Sequence, residues 1–350
     1  MSVELYLKER NTQEAIQECL RQNLFHLGLL LAKQSPKKHK HTVSTLTRTS
    51  NMMLTDKEPF TEDTSLIHVK LLCNWTDTES LTEVWNKMSM GNYQWNNIRL
   101  VTDNKEPDYY VIINAAPPSE KYIPSKTIVF HMEPFITTHN KDRWGEWGNI
   151  EKSTDFLNVI THEKGYNNLE WHLSSTWSQL KNTHPTKTKC LSTVLSSKYS
   201  DIGHIQRIDF VKYLETTDLS IDVYGDNAFN YKKYIKSLPY HQKDEAIFPY
   251  EYTFNAENNI IPNYVTEKLI DGILGECLVF YSGCPNISTI INEKAYVQID
   301  LTNPDECYQI MSRAIQEDWW SQRIEIIRAV KMRILDELQF FPRLEKLLKA

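Results

Sequence analysis

The run YEYTFNAENNIIPNYVTEKLIDGILGECLVFYSGCP, residues 250–285, decides how the rest of the chain is read. Tyr250, Tyr252 and Phe254 alternate with Glu251, Thr253 and Asn255, the period-two pattern of a strand. Glu257-Asn258-Asn259 is a polar loop that ends near Pro262. Asn263 stands where a helix N-cap is expected, and the helix runs to about Gly275, a residue type that favours helix ends. Leu278-Val279-Phe280-Tyr281 returns as a buried strand before the Ser282–Pro285 turn. On that helix Tyr264, Glu267, Lys268 and Asp271 fall at i, i+3, i+4 and i+7, one polar face, while Val265, Leu269 and Ile273 form an apolar stripe beside it. In open α/β sheets ligands collect at strand carboxyl ends and over helix N-termini, where this cation and carboxylate would sit. Taken alone, the same two charges read more readily as a solvated helix face than as a site.

Working outward, strands and helical segments alternate. Leu66–Leu72, Asn97–Thr102, Tyr109–Asn114, Lys126–Phe130, Phe156–Thr161 and Leu169–Leu173 read as strands, with a helix over Ser80–Met90. That alternation predicts a mostly parallel sheet. Gln179–Lys189 reads as a linker, after which Cys190–Lys198, a helix His204–Leu214 and Ile221–Gly225 open a second α/β unit. Helices are expected at Pro304–Asp318, capped by Asn303, and through the amphipathic terminus Ser321–Lys349.

Two further places carry candidate chemistry. Phe130-His131-Met132-Glu133-Pro134 puts a carboxylate just past a buried parallel strand, where it is either a site residue or an N-cap or ion-pair partner. Residues 140–149 are rich in Trp, Gly and charge, and Trp144 and Trp147 suit stacking on sugar rings as well as plain loop packing.

The order Glu257-Asn258, five residues, Tyr264-Val265-Thr266-Glu267-Lys268, then an apolar strand and Gly283-x-Pro285, resembles the donor-site signature of glycosyltransferase family 10. These are the alpha-1,3/1,4-fucosyltransferases, inverting enzymes that use GDP-fucose. Asn259 stands where that family usually has Ser, and Asn263 where Asp is common. The resemblance implies an α/β protein of GT-B type, with two Rossmann-like domains facing a cleft. It also implies Glu133 as general base and Arg207, on Arg-x-x-Phe-x-x-x-Leu, contacting the donor diphosphate; His131, beside Glu133, is either an acceptor-side hydrogen-bonding group or, as is commoner at a strand end, structural. Lys268 would share the diphosphate, Glu267 would take ribose hydroxyls, and Asn258 and Tyr264 would complete the nucleotide pocket. No Asp-x-Asp occurs in the 350 residues, so no motif calls for a divalent cation, and the leaving diphosphate falls to side-chain cations and helix termini.

The expected domains are 1–63, a helical hairpin (Thr12–Arg21, Leu24–Lys33) with a basic linker; 64–183, the acceptor domain; and 184–350, the donor domain with a closing C-terminal helix. One tetratricopeptide-like hairpin cannot bury its own face, so this N-terminal helical extension is expected to dock on the catalytic body or on a protein partner. The net charge of −6 disfavours a dedicated nucleic-acid binder. Six cysteines without a C-x-x-C predict reduced thiols and no zinc site. The sequence has no signal-peptide h-region and no apolar run long enough for a membrane span, so a soluble, cytoplasmic protein of microbial or viral source is expected. Two rival readings stay open: a GT-B transferase using another nucleotide sugar, and a non-catalytic partner-binding scaffold.

Overall fold

The chain forms two six-stranded sheets, seen in a computed structural model that describes residues 66–103, 106–133, 154–162, 165–167 and 169–349. The N-terminal hairpin and basic linker lie outside the described residues.

The first sheet comprises β1 (Ile67–Cys73), β2 (Gln94–Trp95), β3 (Ile98–Leu100), β4 (Tyr109–Ile113), β5 (Thr127–Phe130) and β6 (Asn158–Ile160), in the order β2-β3-β1-β4-β5-β6. All its pairings are parallel except the β2–β3 hairpin. Its strands are continuous apolar runs because both faces are covered: Leu71, Leu72, Val111, Ile112, Ile128 and Val129 have no exposed surface. Helix α1 (Thr78–Asn86) covers one side and is capped by Asp77, whose carboxylate accepts from the Ser80 N–H at 2.7 Å.

Leu169–Leu173 is not the last strand of this sheet. Leu169, Trp171 and Leu173 are buried, but Leu169 makes only a single bridge, to Gln339. The supposed linker opens as a short helix, α2 (Trp177–Asn182), with Thr176 and Gln179 in a reciprocal capping box.

The second sheet holds β7 (Lys189–Leu195), β8 (Asp222–Gly225), β9 (Tyr234–Lys236), β10 (Tyr250–Ala256), β11 (Leu278–Ser282) and β12 (Tyr296–Gln298), in the order β12-β11-β10-β7-β8-β9, all parallel. Tyr234–Lys236 supplies the edge strand β9. The chain runs from β7 outward to β8 and β9, then returns to lay β10 on the other side of β7. That reversal is a switch point, where crossover loops diverge and open a crevice at the strand ends. Around the sheet lie α3 (Ile202–Leu214), α4 (Asp244–Ile247), α5 (Glu267–Leu274), α6 (Pro304–Gln316) and α7 (Trp319–Arg333).

The terminal amphipathic segment is not one helix. A π-turn over Ile334–Leu338 ends α7 and redirects the chain into α8 (Phe340–Lys349). Helix α8 packs on the first half: Phe340 meets Trp85 at 4.6 Å and Phe130 at 5.8 Å between ring centroids, and Phe341 stacks on Trp95 at 5.9 Å. Edge and offset aromatic contacts of this kind add to plain burial.

Candidate active site

Four strand ends build the crevice. At β7 and β10, Ser196, Ala256 and Asn258 receive Arg207 from α3. Its Nη1 donates to the Ala256 carbonyl at 3.2 Å and to Asn258 Oδ1 at 3.0 Å, and its Nη2 donates to Ser196 Oγ at 3.1 Å. The Nε–H has no hydrogen-bond partner among the described residues. Arg207 is only 5% exposed, and burial lowers its pKa against the opposing pull of Glu267 and Glu257. A guanidinium keeps its charge in any such setting, so the switch point carries a fixed cation.

Helix α3 comes this close because residue 203 is glycine. A Cβ there would lie 1.9 Å from the Glu257 carbonyl oxygen, while the Gly203 N–H donates to the Asn258 carbonyl at 3.0 Å. The helix expected from His204 begins earlier, at Ile202, and so includes Gly203.

Helix α5 starts later than its polar loop suggests. Thr266, not Asn263, is its N-cap, and Asn263 takes a left-handed conformation (φ 64°). Tyr264 therefore lies off the helix, 2% exposed, with its ring edge-on to His162 at 5.2 Å. Asp271 is buried as well, so the expected exposed polar face is an interior one. Val265, Leu269 and Ile273 pack into the core as the apolar stripe predicts.

A carboxylate that the sequence reading quoted without a role organises this turn. Glu257, 1% exposed, accepts from the Thr266 N–H at 2.9 Å and the Thr266 hydroxyl at 2.6 Å, and Tyr281 Oη donates to it at 3.2 Å. Lys268 Nζ lies 3.6 Å from Glu257 and 3.3 Å from Glu267. Burial raises the Glu257 pKa and Lys268 opposes that rise. The available signal was the Glu-Asn pair itself: a Glu at the end of a central parallel strand has no solvent to face.

From the first half, Glu133 emerges past β5. Asn114, in a left-handed conformation after β4 (φ 59°), accepts the Met132 N–H at 2.7 Å and the Glu133 N–H at 3.0 Å through one side-chain oxygen. This Asx clamp fixes where the Glu133 side chain leaves the backbone. Glu133 is exposed, and partial desolvation raises its pKa. Lys268 and Lys198 pull it down, while Glu267 and Glu257 push it up. The Glu133 carboxyl is thus within electrostatic reach of both lysines and both glutamates of the second half. Lys198, exposed just after β7, was not foreseen; its only signal was its position two residues past Ser196.

His131 is 2% exposed, its ring 6.4 Å from that of His162, and burial takes its pKa down to about 4. It is a neutral core residue in this structure, with no surface turned to an acceptor. Trp144 and Trp147 lie outside the described residues. Among the described residues no group of three or more His, Cys, Asp or Glu side chains is arranged to hold a metal ion. The five described cysteines are free thiols, four of them buried. None of the described helices is long and apolar enough to cross a membrane.

Two α/β halves, with a cation at the switch point of one and a carboxylate of the other in the field of the same lysine-bearing helix, make up a GT-B-like fold. More particularly, residues 184–318 match the profile of "Glycosyltransferase family 10 (fucosyltransferase) C-term". None of the curated proteins compared matches the chain. Among solved structures, an alpha-glucosyltransferase in complex with UDP and a 13-mer DNA containing a central A:G mismatch aligns with TM-score 0.50 at 10% identity, over 81% of this chain and 98% of that one. An alpha1,3-fucosyltransferase aligns with TM-score 0.45 at 16% identity, over 80% and 93%. A glycosyltransferase from Rickettsia africae ESF-5 aligns with TM-score 0.49 at 12% identity, over 81% and 97%. At these identities the likeness is one of fold.

Proposed function

We propose that this chain transfers L-fucose from GDP-fucose to a hydroxyl of a glycan acceptor by a single inverting displacement. The acceptor oxygen attacks the anomeric carbon and gives its proton to the Glu133 carboxylate. The bond from that carbon to the β-phosphate oxygen breaks, and its electron pair leaves with GDP. A beta-linked donor becomes an alpha-fucoside.

The observations that support this reading are Arg207 bonded to Asn258 and Lys268 lying 3.6 Å from the neighbouring Glu257, with Glu133 in the field of Lys268. Negative charge grows on the diphosphate as the bond breaks, and preorganised cations in a partly desolvated site stabilise it. Arg207, with an Nε–H not engaged by the described protein groups, and Lys268 at the N-terminus of α5 supply those cations. Glu267 accepts from ribose hydroxyls and Asn258 borders the nucleotide pocket, while Tyr264, 2% exposed, backs it from the core. The family match over residues 184–318 supports the choice of donor.

The test is a transfer assay with purified protein, a glycan array and a donor panel of GDP-fucose, GDP-mannose, UDP-glucose and UDP-galactose. Release of GDP with an alpha-linked fucoside, its configuration read by NMR, is the expected result. Transfer from a UDP-sugar alone would replace the donor assignment, and binding without turnover for every donor would leave the scaffold reading.

A further inference from the structure

Behind Glu267 lies a second charged cluster that the transfer chemistry above does not use. Lys243, at the N-cap of α4, places its Nζ 2.9 Å from Asp271 Oδ2 and 3.4 Å from Glu267 Oε1. The Lys243 N–H donates to the His172 carbonyl at 3.1 Å, and the His172 N–H donates to Asp271 Oδ1 at 2.7 Å. A closed ring therefore joins the loop before α4, the segment between the two sheets, and α5. The next residue anchors the same loop: Asp244 accepts from the Ser174 N–H at 2.7 Å and from Ser175 Oγ at 3.0 Å.

The charges explain what such a ring is for. Glu267 and Asp271 sit one turn apart on α5, side chains 14% and 1% exposed, and Glu170 lies close enough to be pushed up to about 8 by burial and by Glu267. Unpaired carboxylates so placed would repel and take up protons. Burial alone would raise the Glu267 pKa, but Lys268, Lys243 and His172 hold it well below the ordinary carboxylate range. Three contacts converge on one oxygen of Glu267: Lys268 Nζ at 3.3 Å, Lys243 Nζ at 3.4 Å and His172 Nδ1 at 3.9 Å. Lys268 cannot give its full charge to Glu267 once it faces a diphosphate. Lys243, paired inward with Asp271, stays behind.

We propose that Lys243 is a positioning residue, holding Glu267 ionised and oriented for the donor ribose while Lys268 serves the diphosphate. This rests on the reading of Glu267 as the ribose acceptor, and the experiment separates the two. Calorimetry with GDP and 2′-deoxy-GDP measures the preference for the ribose hydroxyl in wild type, Glu267→Gln, Lys243→Met and Lys243→Arg. A hydrogen bond to a charged acceptor makes that preference about tenfold or more in the wild type. The expected result is a ratio falling toward one in both Glu267→Gln and Lys243→Met, and retained in Lys243→Arg. If Glu267→Gln loses the ratio while Lys243→Met keeps it, with both affinities lowered equally or unchanged, Lys243 is merely structural and the proposal fails alone. If Glu267→Gln keeps the wild-type ratio, the ribose reading falls and takes the proposal with it. Should Lys243→Met fail to fold, Lys243→Gln removes the charge while keeping a hydrogen-bonding head, and the same ratio decides.

Discussion

Asn263 and His162 are joined across the two halves of the described body: the Asn263 side-chain amide donates to the His162 carbonyl at 2.6 Å. Its own carbonyl oxygen accepts from Asn286 Nδ2 at 2.9 Å, and its backbone N–H donates to Asn286 Oδ1 at 2.8 Å. The left-handed backbone at residue 263 suits Asn or Gly and penalises Ala by roughly 1 kcal/mol. Asn263→Gly loses the side-chain hydrogen bonds but not the backbone fit, whereas Asn263→Ala loses both. The expected order of stability by urea denaturation is wild type, then Gly, then Ala. The first step is about 1–2 kcal/mol for bonds worth about 1 kcal/mol each. An Ala variant as stable as the Gly variant would show that the left-handed turn exerts no constraint.

Glu133 carries the prediction closest to the chemistry. Desolvation raises its pKa and Lys268 moderates the rise, so it loses its proton at a higher pH than a free glutamate. A base works only when ionised, so kcat/KM should fall as pH drops through that raised value, giving an acid limb above the free-glutamate value of about 4.3. Glu133→Gln should lower kcat by about 10²–10⁴-fold, leave GDP affinity within about twofold, and erase that limb. Near-normal turnover in this variant, or a limb that survives it, would move the base elsewhere.

Gly203 tests how Arg207 is delivered. Space for a Cβ is occupied by the Glu257 carbonyl oxygen at 1.9 Å and the Asn258 carbonyl at 2.7 Å, all backbone that cannot rotate aside. Gly203→Ala must therefore shift the start of α3 away from the strand end that binds Arg207. Overpacking of this kind costs about 1–3 kcal/mol. GDP affinity should fall along with the melting temperature, because Arg207 shares Asn258 with the displaced turn. A variant that melts lower yet binds GDP normally would show that Arg207 is placed independently of this contact.

The stretch 250–285 was legible because its signals are local. Tyr250–Ala256 and Leu278–Ser282 are strands close to where the apolar runs end, and Gly275 does close the helix. The helix start was not legible, because Asn263 spends its side chain on His162 and Asn286 rather than on a cap, and those partners are 101 and 23 residues away. Arg207 was singled out by the family resemblance of Arg-x-x-Phe-x-x-x-Leu; Gly203, which lets that helix approach, shows only in three dimensions. Leu169–Leu173 misled in a different way. Its alternation correctly marks the buried Leu169, Trp171 and Leu173, but burial under the C-terminal segment produces the same period as membership in a sheet. Lys243 carried no pattern, since its partners Glu267 and Asp271 come 24 and 28 residues later on another element.

The remaining prediction concerns the support beneath α5. Glu276, 1% exposed and just past the end of that helix, accepts from Lys331 Nζ at 2.8 Å and from Arg328 Nε at 3.0 Å, and His184 Nδ1 lies 2.6 Å away. Burial would raise the Glu276 pKa, but Lys331, His184 and Arg328 bring it below its ordinary value. Its folded pKa is therefore depressed, so its stabilisation is fully present above the unfolded value and is lost as pH falls through the folded one. Lys331 is 2% exposed and also donates to the Thr183 carbonyl at 2.9 Å. Lys331→Met strands a buried carboxylate with its two outer partners, and breaking a buried pair from one side costs about 3–5 kcal/mol. The loss should be largest near neutral pH and shrink as pH falls through the folded value of Glu276, where the protonated carboxyl no longer needs the cation. Adding Glu276→Gln to Lys331→Met should recover part of it, since an amide tolerates burial better than an unpaired charge. Urea titrations of the three proteins from pH 7 down through the acid range decide the matter: a deficit that does not shrink on acidification, and is unrelieved in the double variant, would assign the effect to lost packing of the lysine stem instead.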